Sequence, residues 1–140
     1  MTDVKIAASD MNVLLKEVFA QVADDFVVED VAPMACRVRL KVAERHLRPG
    51  GTVSGPTMFG LADVSVYVAT MAMIGPETLA VTTNISMDFM RKPVADADLI
   101  AHTRLLKLGK RLTVGDVLIY SEGSEAPVAR ASMTYAIPPR

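Results

Sequence analysis

Between Arg48 and Glu77 the chain carries one charged residue, Asp63, in the middle of a long apolar block. Carboxylates are almost never fully buried without a partner, and an isolated ionised one in a dry interior costs several kcal/mol even after relaxation. Two roles answer that cost. Asp63 either caps or bonds a neighbouring element, or faces a solvated gap between subunits; or it is a base or nucleophile held in a mostly apolar cleft. The second role has a companion eight residues earlier at Gly55, where Ser54-Gly-Pro56 opens the block and offers the free amides of a helix start. Such amides stabilise negative charge developing on an oxygen. A nearby carboxylate can attack a carbonyl carbon or activate water to do so. Eight residues of helix rise roughly 12 Å, so these two groups of one chain cannot touch one carbonyl. Two antiparallel copies of the helix across a dimer can bring one start beside the other chain's Asp63.

Other chemistry-bearing residues are sparse. Cys36 is alone, which excludes an intramolecular disulfide and a cysteine-based metal site. His46 and His102 are too few and too far apart for a histidine metal cluster, so neither a metal nor a cofactor is expected. The formal charge of −1 argues against nucleic-acid binding, which needs a dense basic surface. An apolar content of 51% in 140 residues, with a mean hydropathy of +0.30, is high for one small domain and points to a subunit interface. The first ten residues carry acids and lack the apolar core of a secretory signal. Val53 to Ile74 is long and apolar enough to test as a membrane span. Asp63 at its centre would cost roughly 2.5–3.5 kcal/mol to insert, and no Lys or Arg follows its C-terminal end. A buried helix of a soluble, cytoplasmic protein without membrane contact is the expectation.

The elements that must position Asp63 follow from periodicity. Met11, Leu14, Leu15, Val18, Phe19 and Val22 recur at helical steps from Asp10 to Asp24, with Ser9 or Asp10 able to cap. Cys36, Val38, Leu40 and Val42 alternate with Arg37, Arg39 and Lys41, the signature of a strand with one wet face. Glu44 to Gly55 is a Gly/Pro-rich loop. The helix that follows starts with Ser54 as cap and Pro56 in the first turn, and stops at Gly75-Pro76. It is apolar on every side and therefore buried on most of its circumference. Thr78–Met90, Asp98–Leu108, Lys110–Ser121 and Pro127–Ile137 then read as consecutive antiparallel strands. The plan is a single α+β domain, a long central helix wrapped by a curled antiparallel sheet.

With these elements in place, His46-Leu-Arg-Pro-Gly-Gly-Thr-Val-Ser-Gly-Pro-Thr-Met-Phe-Gly-Leu-Ala-Asp63 resembles the signature of PaaI-like hot-dog acyl-CoA thioesterases. Val81-Thr-Thr-Asn-Ile-Ser-Met-Asp-Phe-Met-Arg-Lys-Pro93 is similar to the strand and turn that follow in that family. The resemblance covers residues 33–137, with residues 1–30 as a variable N-terminal helical segment. It implies a hot-dog homodimer, often paired into a tetramer, with active sites at the dimer interface. It also implies an acyl-CoA substrate, Gly55 as the oxyanion donor, Asp63 as nucleophile or base, and Thr82 as an assisting hydroxyl. The chain departs from the family at Arg48, where Asn is common, at Ser54, where His is, and at Pro56, where a second Gly is. His46, Arg48, Ser54 and Pro56 are the loop residues expected beside the substrate, although the plainer reading of His46 is a loop residue bonding backbone. Coenzyme A carries phosphates, so Arg91, Lys92, Lys107, Lys110 and Arg111, at two expected turns, are candidates to meet them; ordinary solvated turn charges are the plainer reading.

Two other functions fit the same frame. A non-catalytic acyl-CoA or lipid-binding module would use the same cleft, but gains little from a buried acid. A hot-dog hydroxyacyl dehydratase needs a His–acid pair, and its acid follows the helix-start Gly by about five residues rather than the eight found here. The nine methionines read as core filler, with Met58, Met71 and Met73 as alternative linings of an acyl pocket.

Overall fold

The structure, a computed structural model, describes residues 3–139. Helices α1 (Ala8–Val18) and α2 (Ala20–Ala23) lead into strands β1 (Phe26–Ala32) and β2 (Ala35–Leu40). A short 3-10 turn over Glu44–His46 precedes the long helix α3 (Gly55–Ile74). Strands β3 (Val81–Phe89), β4 (Leu99–Leu108), β5 (Leu112–Ser121) and β6 (Ala129–Ala136) complete the chain. All six strands form one antiparallel sheet in the order β1-β2-β4-β5-β6-β3. α3 packs against every one of them, so the sheet must curl around the helix. This is the hot-dog plan expected from the sequence.

The burial pattern shows why. Along β5 and β6 every second residue is buried, from Thr113 to Ser121 and from Ala129 to Tyr135, which is the period-two face laid on α3. α3 has no polar face to turn outward: from Leu61 to Met73 all but Asp63 are buried. By length and composition it could cross a membrane, but most of its surface is consumed inside the domain. The sheet takes one side. On another, the N-terminal segment lies over its end, where the Lys5 and Ile6 amides donate to the Ala72 carbonyl at 2.7 and 3.4 Å. Close approach of helix and sheet depends on Gly115 in β5. A Cβ there would lie 3.2 Å from Leu105 Cδ2 and 3.4 Å from Val66 Cγ2.

Two elements differ from expectation. The helix expected over Asp10–Asp24 starts at Ala8 and breaks at Phe19, whose backbone leaves the helical region at φ −139° and ψ 49°. Ala7 is the N-cap without a side-chain bond, and Ser9 and Asp10 lie inside the first turn rather than capping it. The break leaves the Phe19 ring edge-on to Tyr67, with centroids 6.2 Å apart. Strand β1 is the other difference, since periodicity gives it no signal. A bulge between Val28 and Asp30 interrupts its alternation, and the extra residue, Glu29, turns its carboxylate to Arg37 and Arg39 at 3.1 and 2.6 Å. Asn12 covers this sheet edge from α1. Its amide exchanges hydrogen bonds with the Val28 N–H and C=O at 2.8 and 3.0 Å, as a neighbouring strand would.

Candidate active site

Asp63 lies in the third turn of α3, facing the C-terminal half of the sheet. Its Oδ1 accepts a hydrogen bond from the Tyr135 hydroxyl at 2.6 Å and a second from the Thr82 hydroxyl. The same Tyr135 hydroxyl lies 2.8 Å from the Asp63 backbone carbonyl. No protein donor reaches Oδ2 among the described residues. Burial, followed by the Asp63 charge and the hydrogen bond to it, pushes the Tyr135 phenol far above its usual value. It therefore remains a donor across the working range of pH. The Tyr135 ring is stacked on Tyr67, with centroids 6.1 Å apart and planes at 30°. The Tyr67 hydroxyl is held in turn by the Thr78 carbonyl at 2.8 Å. Aromatic pairs of this kind contribute about 0.5–1.5 kcal/mol each beyond their area burial, so the donor comes from a rigid ladder. Asp63, Thr82 and Tyr135 form the polar wall of a cavity of about 320 Å³ whose other lining includes Val18, Phe19, Val64, Tyr67, Ala80 and Val81.

Sheet register puts both donors on one oxygen. Thr82 and Tyr135 are cross-strand partners in the β3–β6 ladder, and a bulge follows immediately, between Thr82 and Asn84. Ile85 and Met87 are half-buried on the helix side of β3. Strict alternation backward from them would turn Thr83 inward; the bulge turns Thr82 inward instead and leaves Thr83 exposed.

At the other end of this edge lies the start of α3. Ser54 caps it, accepting the Thr57 amide at 3.3 Å, while the Met58 amide donates to the Ser54 carbonyl at 3.1 Å. Pro56 has no N–H. Of the first four helix residues, Gly55 alone keeps an amide without a partner among the described residues. The tight loop before it is closed by a Leu47–Val53 bridge and by the Arg48 amide on the Thr52 carbonyl at 2.9 Å, with Gly50 and Gly51 at φ 104° and 87°. That turn delivers Arg48 to a cavity of about 290 Å³ lined also by Gly55, Met58, Phe89, Arg91 and Lys92. The Phe89 ring lies against Gly55, 3.4 Å from where a Cβ would stand.

The expected residues thus fall into two groups. Asp63 and Thr82 meet at one cavity; Gly55, Arg48, Arg91 and Lys92 meet at another, with Ser54 and Pro56 shaping the helix start beside it. β3 separates the two groups, with Thr82 near one end and Phe89 at the other, roughly 23 Å apart along a strand. Lys107, Lys110 and Arg111 do not join Arg91. The β4–β5 turn is at the Val81 end of the sheet, since Leu112 pairs with Ala136 and Ala136 with Val81.

His46, expected beside the substrate, is buried and lines neither cavity. Its ring is buried under the loop, where Nδ1 accepts the Ala43 amide at 2.9 Å and Nε2 lies 3.3 Å from Asp25. Its carbonyl accepts the Ser54 amide at 2.9 Å, so it anchors the helix start from behind. Burial pushes the Asp25 carboxyl up, but bonds from Arg45 and His46 outweigh it and hold the group below the usual range. Met71 and Met73 are buried in the core and line neither cavity; Met58 borders the Gly55 cavity. Tyr135, Tyr67 and Phe19 had no signal of their own in the sequence, because nothing local to them distinguishes a site residue from a core aromatic.

Comparison with known proteins gives this geometry a family. The model of the thioesterase superfamily matches residues 50–128, and the chain belongs to that superfamily. It is thus a hydrolase of the thioesterase class. A Pseudomonas aeruginosa protein provisionally assigned as an esterase is 31% identical over 116 residues, 77% of this chain and 85% of that one. A crystal structure from Silicibacter sp. TM1040, provisionally assigned as a thioesterase, is 55% identical with a TM-score of 0.92, covering 99% of this chain and 96% of that one. A mutant of the phenylacetic acid degradation protein PaaI from Thermus thermophilus is 26% identical with a TM-score of 0.72, covering 85% of this chain and 99% of that one.

Proposed function

We propose that this protein hydrolyses acyl-CoA thioesters at a site built by two copies of the chain. The observation that carries the reading is the Asp63 carboxylate, with one oxygen held by two hydroxyls and the other open, at the wall of an apolar and aromatic cavity. In this reading the acyl group occupies that cavity and the thioester carbonyl lies at its mouth. Asp63 removes a proton from water as the water oxygen attacks the carbonyl carbon, or attacks that carbon itself. The partner's Gly55 amide receives the negative charge that develops on the carbonyl oxygen. When the tetrahedral intermediate collapses, the C–S bond breaks and coenzyme A leaves as the thiol, its sulfur taking the proton Asp63 removed from water. If Asp63 attacked directly, the sulfur takes a proton from solvent and a water then cleaves the acyl–Asp63 anhydride to release the acid. Arg48, Arg91 and Lys92, around the Gly55 cavity, are the cations suited to its phosphates.

Support for the two-chain site comes from the edge strand. β3 is paired on one side only, with β6, and apolar side chains stand exposed along and beside it: Leu79 at 73%, Val81 at 57% and Phe89 at 54%. An unpaired apolar edge of this length is a template for a second strand. Pairing β3 with itself about a two-fold at Ser86, with Thr83 left out at the bulge, sets Thr82 opposite the partner's Phe89. The partner's Gly55, which lies against that ring, then approaches Asp63. Incubating the protein with straight-chain, branched and aryl-CoA esters and a thiol reagent tests the activity. We expect thiol release at a rate set by the acyl group. Tight binding of the same esters without thiol release would replace the reading with that of a binding module.

A further inference from the structure

General-base or nucleophilic chemistry needs one open carboxylate oxygen; it does not need the other to be gripped twice. We propose that Tyr135 is a positioning residue that, with Thr82, locks Oδ1 of Asp63 so that Oδ2 is the oxygen that reacts. The inference rests on the reading of Asp63 as the reacting group. The geometry is specific. The Tyr135 hydroxyl spans two acceptors of one residue, Oδ1 at 2.6 Å and the backbone carbonyl at 2.8 Å, so any turn of the Asp63 side chain away from that hydroxyl breaks the contact. Thr82, its cross-strand partner, closes on the same oxygen from the neighbouring strand.

The donor cannot drift either. The Tyr135 ring is buried and stacked on Tyr67, which is itself tied to Thr78. Because the phenol stays protonated, it can neither take up nor supply the proton of the reaction. It orients. A carboxylate fixed in this way presents Oδ2 to the cavity without reorganising when charge moves, the condition under which electrostatic and proximity effects are largest.

A double-mutant cycle tests this. Wild type, Tyr135→Phe, Asp63→Asn and the double variant are compared for kcat, KM and melting temperature. Tyr135→Phe keeps the ring and its stacking, and should lower kcat by about ten- to a hundredfold, the effect of a hydrogen bond to a charged group. KM should stay within about twofold. In the Asp63→Asn background the same substitution should change little further. Thr82→Val should follow the same pattern, and Thr82→Ser, which keeps a hydroxyl, should restore most of the rate; these two carry the test if Tyr135→Phe does not fold. Wild-type kcat in Tyr135→Phe, a change confined to KM, or losses that multiply with that of Asp63→Asn would each overturn the proposal. Full activity in Asp63→Asn alone would instead remove the reading on which it rests.

Discussion

Replacing Asp63 with Asn exchanges one oxygen for an amide nitrogen and removes one charge. The partners of this carboxylate are two hydroxyls rather than a cation, and both donate to Oδ1. An Asn oxygen at that position keeps both bonds, and its NH₂ takes the open place of Oδ2. The fold should therefore lose no more than about 1 kcal/mol, a shift of roughly 2–4 °C in melting temperature for a chain of this size. Turnover should fall by about 10²–10⁴, the usual contribution of a general base, or about 2.7–5.4 kcal/mol of transition-state stabilisation. If Asp63 instead held the fold as a buried ionic partner, the substitution would cost about 3–5 kcal/mol of stability and activity would decline in step with unfolding. Melting temperature, acyl-CoA affinity and thiol release measured on one preparation separate these outcomes. A folded Asp63→Asn protein that cleaves thioesters at the wild-type rate refutes the assignment of Asp63 to the chemistry.

Four further outcomes are expected. Burial pushes the Cys36 thiol up to about 12, and its Sγ lies 3.2 Å from the Ser65 carbonyl, so a thiol reagent should label none of it in the native protein and all of it after denaturation; labelling before unfolding would contradict the burial. Phe89→Asp, which puts a charge on the exposed edge of β3, should give a folded monomer without thioesterase activity by sedimentation and assay, and a fully active monomer would end the two-chain site. Phe19→Ala removes a ring from the wall of the Asp63 cavity, and the ratio of kcat/KM for bulky over small acyl groups should rise; an unchanged ratio would place the acyl group elsewhere. Burial raises the Glu29 carboxyl, but bonds from Arg39 and Arg37 outweigh it and hold it below its ordinary 4.5. A depressed carboxylate stabilises the fold above its unfolded value and loses that contribution as pH falls through the lowered folded value. Glu29→Gln should therefore narrow the gap in melting temperature between neutral pH and about pH 3; an undiminished gap would show that the pairing contributes nothing.

The sequence exposes those parts of the molecule whose signal is local. α3 announces itself because a run with no polar face, opened by Ser54 and Pro56 and closed by Gly75, must be buried on most of its circumference, and Asp63 at its centre disfavours a membrane. β2 and the strands after α3 show through alternation and turn residues. What escapes a reading of the sequence depends on irregularity or distance. β1 is hidden because Glu29 and Asp30 follow three apolar residues, Phe26, Val27 and Val28, and a bulge rather than a regular face accommodates them. The break at Phe19 leaves apolar spacing intact on both sides, so periodicity runs straight through it. Asp63 can be singled out as the one charge in an apolar block, but its second donor cannot. Tyr135 is 72 residues away and becomes a neighbour only once β6 is laid beside β3. Thr82 comes from family resemblance alone. Alternation taken by itself favours Thr83, and only the bulge reverses that choice.

The capping of α3 bears on which ions its start can hold. A tetrahedral anion such as phosphate or sulfate is usually bound at a helix start by several amides at once. Here Pro56 lacks one, Ser54 occupies another through Thr57, and its carbonyl takes the amide of Met58. One N–H remains, at Gly55. A single donor can polarise one carbonyl oxygen but cannot cradle three oxygens of an inorganic anion. On the proposed function, the Gly55 amide would then serve one carbonyl oxygen, while any phosphate held nearby would be held by Arg48, Arg91 and Lys92 rather than by the helix start.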